Sequence, residues 1–298
     1  MEVAPAVHSI AAAVPFYSGP YPPNVYLVAG DGEGALIDSG FGDDGSVQAR
    51  LDYLAGLPGL RIAYIIVTHH HWDHAGGAHR LRQATGAQVA MHQQEVPFLQ
   101  ELAAGAPQDL EATERDRALR EAAARAKPEL LLAGDEVLSV GSLELEAIHA
   151  PGHTMGSLCL YLRQGGVLFT GDTILGIGTV AISPPPYGDM GLYLESLERL
   201  KSYDIALICP GHGPPVRDAA RKIQELIDHR RQREEQIVAA VAGGEGTVPQ
   251  LLAEVYPELD RRLLEMARRQ ILAHLHKLAK EGRLALVGEG EAARASLR

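Results

Sequence analysis

Little in this chain could serve as a covalent staple or a covalent nucleophile. It has two cysteines in 298 residues, Cys159 and Cys209, each inside an apolar strand-like run. That excludes a disulfide framework and gives no sign of a reactive thiol. No Gly-x-Ser-x-Gly stretch occurs, so a serine elbow is excluded as well. No apolar run approaches the roughly 20 residues that cross a bilayer. Lys and Arg are absent before Arg50, which speaks against a secretory or mitochondrial address. A reducing cytoplasm is the expected compartment, and no membrane partner is expected. Cations are scarce throughout, 27 Lys and Arg against 38 Asp and Glu, for a net charge of −11. The deficit lies in residues 1–216, with 12 against 25, while residues 217–286 carry 13 against 11. Such a catalytic half is not built to grip long nucleic acid by its phosphates.

Histidine is plentiful by contrast, with 13 in the chain. Four metal-competent side chains, His69, His71, Asp73 and His74, crowd the stretch Thr68-His-His-His-Trp-Asp-His74. It follows an apolar β-type run, Ile62 to Val67, and leads into Gly76-Gly77. In an extended segment residues i and i+2 point the same way, so His69 and His71 can grip one metal. A tight bend after Trp72 would turn Asp73 and His74 toward a second. His70 and His149 are expected near the site without ligating, and Trp72 is expected to pack the loop.

Three more donors stand in glycine-containing turns, each after a strand-like run. His153 lies in Pro151-Gly-His-Thr154, after Leu143 to Ile148. Asp172 lies in Thr170-Gly-Asp172, after Val167 to Thr170. His212 lies in Pro210-Gly-His-Gly213, after Ile205 to Cys209. Loops at strand ends, carried on a rigid sheet, are where functional groups concentrate.

The chain also reads as two similar halves. Asn24 to Asp38 and Ser157 to Asp172 each read strand, glycine-rich turn, strand, acid. Helical patterns follow, around 45–56 and 189–201, and then an apolar strand ending in a histidine loop. Two ββαβ units suit a layered sandwich. By this correspondence Asp38 sits where Asp172 does, and it is expected to hold a ligand in place from behind or to support a buried turn. Between them, Glu95 to Gly105 and Asp109 to Lys127 read as helices divided at Ala106-Pro107. They are placed either to cover the site or as ordinary surface helices. The loop from Ile174 to Met190 is a second candidate for the substrate side, with Ser183 and Tyr187 as candidate contacts.

Beyond His212 the composition changes. Arg217 to Val241 reads as a long helix, followed by helices at Val248 to Tyr256 and Asp260 to Glu281 and a strand at Leu284 to Val287. That order suits a winged helix. The third helix places Leu264, Ala267, Ile271, Leu275 and Leu278 on one face, with Arg262, Arg269, His276 and Lys280 opposite. Such a face either enters a nucleic-acid groove or is simply solvated. The expected division is residues 1–216, 217–290 and a tail, 291–298.

The motifs together resemble those of the metallo-β-lactamase superfamily, and the resemblance spans most of residues 10–215. It implies an α/β fold, an αββα sandwich of two mixed sheets with the site at one edge. It also implies that His69, His71 and His153 hold one metal, that Asp73, His74 and His212 hold another, and that Asp172 bridges them. With the tail included, the chain is similar to the β-lactamase-like protein 2 family, on Gly171-Asp-Thr-Ile-Leu-Gly176, Tyr193-Leu-Glu-Ser-Leu197 and His229-Arg-Arg-Gln-Arg-Glu-Glu-Gln-Ile237. That family includes a single-strand-specific endoribonuclease. Met155-Gly156-Ser157, however, is the general superfamily pattern shared with glyoxalase II-type thioesterases.

The resemblance therefore implies a hydrolase using a hydroxide bridging two zinc ions per chain, with Asp73 orienting the water or shuttling its proton. Iron and manganese accept the same donors. The expected substrate is single-stranded RNA, or else a small thioester or ester. A mononuclear iron persulfide dioxygenase of the same fold is the reading from another class, and the donors for a second metal lean against it.

Overall fold

A computed structural model describes residues 1–10, 21–104, 113–244 and 246–298. The strands of the first half are β1 (Glu2–Ala4), β2 (Val7–Ile10), β3 (Val25–Gly30), β4 (Glu33–Ile37), β5 (Arg61–Val67), β6 (Gln88–His92) and β7 (Leu130–Leu132). They are interleaved with α1 (Asp44–Ala55), α2 (Trp72–Ala75), α3 (Ala78–Thr85), α4 (Val96–Ala104) and α5 (Glu114–Ala124). Then follow β8 (Val137–Val140), β9 (Leu143–His149), β10 (Leu158–Leu162), β11 (Val167–Gly171), α6 (Met190–Leu200) and β12 (Leu207–Pro210). The chain closes with α7 (Ala219–Ala242), α8 (Val248–Val255), α9 (Leu264–Lys280), β13 (Leu284–Val287) and β14 (Arg294–Leu297). The expected helix break at Ala106-Pro107 lies outside the described residues.

β1 to β7 form one sheet in sequence order, antiparallel up to β4 and parallel from β4 onward. A second sheet has the order β12-β11-β10-β9-β8, with β11 and β12 parallel and the rest antiparallel. Both sheets are thus mixed, as expected. Alternation along each strand explains their stacking. Tyr26, Val28, Ile37 and Ile66 face a shared core with Leu145, Leu160, Phe169 and Cys209 of the second sheet. Their neighbours Val25, Leu27, Leu36, Ile65 and Val67 face the other way, onto Val47, Ala78, Leu81 and Ala123 of the helices. Strands covered on both faces read as continuous apolar runs, which is why β5 is plain in the sequence.

The two halves match in topology. β3-β4 and β10-β11 are antiparallel hairpins, each followed by a helix and a strand parallel to the hairpin's second member. Side-chain caps start both helices. Asp43 accepts from Ser46 N at 3.1 Å, and Asp189 accepts from Leu192 N at 3.0 Å, satisfying amides that have no partner within the helix.

The chain divides into two compact units. One comprises residues 1–150, 156–178 and 204–219, and the other comprises 151–155, 179–203 and 220–298. Packing thus groups the residues differently from a single cut after residue 216, because loop 151–155 and α6 belong with the C-terminal helices. In that unit Ile237, Leu251, Leu252, Ile271, Leu275 and Leu284 share one core. The last residues do not trail off. Arg294–Leu297 pairs antiparallel with Leu284–Val287 and completes a two-stranded wing.

α9 is covered more deeply than a helix with one solvated face. Gln270 to Leu275 are buried in an unbroken run, so the helix is enclosed on every side along its middle. The exposed cations on α9 and in the turn before it are mostly matched. Arg262 meets Asp260 at 2.6 Å, Arg269 meets Glu265 at 3.4 Å, and Lys280 stands 4.0 Å from Asp189.

No helix among the described residues is long and apolar enough to cross a membrane. Both cysteines are buried thiols, and burial pushes the Cys209 thiol up to about 12. A thiol held protonated in an apolar core is inert. A thiol-specific chromogenic reagent at pH 8 is therefore expected to titrate neither cysteine in the folded protein and both after unfolding. Rapid reaction of either in the folded state would contradict this packing.

Candidate metal centre

Strand β5 delivers Thr68 to the mouth of the site, and the chain then bends immediately. α2 starts at Trp72 with His71 as its N-terminal flank, and both His74 N and Ala75 N donate to His71 O at 2.9 Å. The turn thus comes one residue earlier than a bend after Trp72, and its single helical turn throws Asp73 and His74 toward the cluster. The His69 and His71 rings lie 4.6 Å apart, with Nε2 of the first 3.0 Å from Nδ1 of the second.

Two groups of donors converge. His69, His71, His153 and Asp172 each offer a ligand atom within 4.8 Å of the others, and so do Asp73, His74 and His212. Asp172 also reaches the second group, with Oδ1 3.4 Å from His74 Nε2 and 3.5 Å from His212 Nε2. His74 Nε2 is 3.2 Å from His212 Nε2, which is 3.3 Å from Asp73 Oδ2. Tetrahedral donors about 2.1 Å from one ion stand about 3.4 Å from each other. The observed spacings fit that arrangement.

Proton placement points the same way. Asp38 accepts from Thr68 N at 2.8 Å, from the Thr68 hydroxyl at 3.0 Å and from His74 Nδ1 at 2.7 Å. With its proton spent on Asp38, the Thr68 oxygen accepts from His69 Nδ1 at 3.0 Å. His212 Nδ1 donates to Tyr21 O at 3.1 Å, and His153 Nδ1 donates to Ala181 O at 2.9 Å. In the neutral form all four rings are therefore set to carry hydrogen on Nδ1 and a lone pair on Nε2. Two such lone pairs 3.2 Å apart, on His74 and His212, repel unless a cation stands between them. Burial opposes charging His74, but Asp38, Asp172 and Asp73 together raise its proton affinity well above the ordinary range. A field that draws a proton here draws a metal cation too.

The supporting residues are only partly those expected. Asp38 is one of them, buried, at φ 60° and joined to both ligand groups. Glu95 was not foreseen. Fully buried, it accepts from His70 N at 2.7 Å, His70 Nδ1 at 2.5 Å and Gly156 N at 2.7 Å. It thereby turns His70 away from ligation and ties the first histidine loop to the β9–β10 loop. His70 also stacks on Phe98 of α4, at 5.0 Å, so the segment after His92 does contact the histidine loop. Asn24 was not foreseen either. Its amide donates to Pro210 O at 2.9 Å and Gly213 O at 2.8 Å, clasping the His212 turn. Gly211 in that turn is dictated by space, because a Cβ there would stand 2.5 Å from Asp172 Oδ1.

His149 stacks on His92 at 4.0 Å and is outside both donor groups. Trp72 meets Phe41 edge-on at 5.6 Å, packing the loop as expected. Ser183 and Tyr187 are likewise outside the donor groups. They belong to segment 179–203 of the second unit, where Tyr187 is 51% exposed.

Comparison with known proteins agrees with this geometry. The family model described as metallo-beta-lactamase superfamily matches residues 18–212, and that of the beta-lactamase associated winged helix domain matches residues 247–291. A beta-lactamase-like protein 2 homolog of Drosophila melanogaster is 29% identical over 264 residues, covering 88% of this chain and 83% of that protein. An atrochrysone carboxyl ACP thioesterase of Aspergillus fumigatus is 28% identical over 226 residues, 73% of this chain. The match spans only 59% of that thioesterase's length. Among solved structures, a metallo-beta-lactamase family protein from Thermus thermophilus is 27% identical with a TM-score of 0.79, each chain covered fully. A beta-lactamase domain protein from Burkholderia ambifaria is 25% identical with a TM-score of 0.84, covering 100% of this chain and 93% of that one.

Proposed function

Because the chain belongs to the metallo-β-lactamase superfamily, we propose that it is a dinuclear metal hydrolase that splits a thioester or ester of a small acyl substrate. The convergence of seven donors in two groups carries the reading. His69, His71 and His153 would hold one divalent ion, Asp73, His74 and His212 the other, and Asp172 both, with zinc the ion such donors suit. Bound metal supplies a water of lowered pKa and polarises the carbonyl oxygen under attack.

The chain's own residues do the rest. Acceptors on Nδ1 of His69, His74, His153 and His212 orient their Nε2 atoms toward the donor groups, which supports ligation through Nε2. Burial favours a neutral Asp73, but His74 and His212 hold its carboxyl below the usual range. It is therefore an acceptor at neutral pH, suited to orient water or take its proton. A mononuclear iron oxygenase would need only the first group, and the completeness of Asp73, His74 and His212 speaks against it.

Two observations favour an acyl substrate over RNA. The middle of α9 is enclosed and Arg262 and Arg269 are matched by acids, while residues 1–216 are strongly acidic. One relative, moreover, is described as an acyl carrier thioesterase. Single-stranded RNA cleavage is the second reading, favoured by similarity to the beta-lactamase-like protein 2 homologue over 88% of the chain.

The deciding experiment incubates zinc-replete protein with acyl thioesters, lactones and RNA oligomers, with Asp172→Ala as control. Thioester turnover that Asp172→Ala abolishes is the expected result. RNA cleavage without thioester turnover would overturn the acyl reading. Arg262→Ala and Arg269→Ala are expected to leave turnover unchanged, since exposed pairs contribute little. A large loss in either would reinstate α9 as a substrate surface.

A further inference from the structure

We propose that Arg230 and Gln270, on helices of the C-terminal unit, are positioning residues for His153, acting through the segment Val180–Ile182. The inference rests on the reading of His153 as a metal ligand. The tautomer and aim of a ligating histidine are set by the acceptor on its other nitrogen. For His153 that acceptor is the carbonyl of Ala181, at 2.9 Å. Ala181 lies on backbone that is neither helix nor strand, so side chains must hold what a sheet would otherwise hold.

Gln270 does this as a neighbouring strand would. Its amide nitrogen donates to Val180 O at 3.3 Å, and its amide oxygen accepts from Ile182 N at 3.3 Å. In extended backbone the carbonyl of residue i and the amide of residue i+2 point the same way, and the carbonyl between them points the opposite way. Val180 O and Ile182 N meet one and the same amide and so face one side, as they would in a strand, which leaves Ala181 O to meet His153 Nδ1. Arg230 adds a charge-assisted bond, Nη2 to Val180 O at 2.6 Å. Both side chains are buried, Arg230 at 1% and Gln270 at 8% exposure.

A second path runs from Arg230 to the same turn. Its guanidinium lies 5.4 Å from the centre of the Tyr193 ring. Tyr193 Cα abuts Gly152, where any Cβ would collide with it. α6 also holds the turn by its backbone, with Asp189 N donating to Gly152 O at 3.0 Å and the Ser196 hydroxyl to Pro151 O at 2.8 Å. Arg230 and Gln270 are in neither donor group and shape the site at one remove.

The test titrates the full chain, loaded with cobalt, against a competing chelator. Gln270→Leu keeps volume and removes both bonds. Arg230→Lys keeps charge and decides the matter if Gln270→Leu does not fold. Arg269→Ala is the exposed control. The expected result is that one of two bound equivalents weakens by about tenfold or more, while the other, and the control, match wild type. Added to His153→Ala, Gln270→Leu should weaken that equivalent no further. Unchanged affinity in both variants, equal weakening of both equivalents, or full additivity with His153→Ala overturns the proposal. A wild-type chain that takes up no divalent ion overturns the metal reading and this inference with it. Wild-type uptake with unshifted variants overturns the positioning role alone.

Discussion

Stripping the protein of divalent metal is expected to abolish hydrolysis and to lower the melting temperature by roughly 10 °C or more. An ion that binds only the native state, present at 100 times its dissociation constant, stabilises by about 2.7 kcal/mol, and two ions by about 5 kcal/mol. For a domain of this size each kcal/mol moves the midpoint by about 2–4 °C. Without cations Asp38, Asp73 and Asp172 stay clustered about His74, and only protons can offset them. Carboxylates raise the proton affinity of His74 and His212 above the ordinary imidazole range despite burial. Their protonation thus stabilises the stripped protein fully below the unfolded-state value, about 6.5, and is lost as pH rises through the folded-state values. The metal-dependent gain in melting temperature should therefore grow from pH 6 to pH 9. Thermal scans with and without chelator, metal content verified, measure this. An unchanged midpoint in the stripped protein would rule it out.

The candidate ligands are legible in sequence because their spacing is local chemistry. His69, His71, Asp73 and His74 lie within one bend, and His153, Asp172 and His212 follow apolar runs that became β9, β11 and β12. The residues that orient them are not legible in this way. Glu95 stands in an ordinary Gln-Gln-Glu run, 25 positions from His70, and Asn24 is 186 positions from Pro210. Nothing local marks either one, because their partners exist only once both sheets have formed. The repeated hairpin did locate Asp38, though its hydrogen bonds emerge only from the folded loop.

α9 shows a different limit. Of its apolar stripe, Ala267, Ile271, Leu275 and Leu278 fill the unit's core, while Leu264 at the helix start is exposed. Gln270 and His274 lie outside that stripe, yet both are buried. Segment 179–203, far away in sequence, shares their unit, and Gln270 spends its amide on Val180 and Ile182. A periodicity count registers one buried stripe and misses a second made by a polar side chain satisfied by backbone. The last strand fails for a related reason. Arg294–Leu297 is short and partly charged, and only pairing with Leu284–Val287 makes it a strand.

Asp38→Ala is expected to weaken both metal equivalents together, each by about 10- to 100-fold, and to cost about 3–5 kcal/mol of stability. One carboxylate serves both groups of donors. It accepts a hydrogen bond directly from His74 Nδ1, at 2.7 Å. It reaches His69 through the Thr68 hydroxyl, whose oxygen can accept from His69 Nδ1 only because its own proton is on Asp38. Removing it leaves Thr68 N, the Thr68 hydroxyl and His74 Nδ1 with donors facing a buried void. His74 can then turn its proton to Nε2, which blocks the lone pair a metal needs. Alanine also resists the φ of 60° at this position, whereas asparagine tolerates it, so Asp38→Asn separates backbone strain from chemistry. An amide of the same size offers one oxygen to Thr68 N or to His74, and its NH2 then faces another donor. Asp38→Asn should accordingly regain part of the stability and little of the metal affinity. The same chelator titration that reads one weakened equivalent in Gln270→Leu should read two in either Asp38 variant. Wild-type affinity at both equivalents in Asp38→Ala would show that Thr68 and His74 hold their tautomers without it.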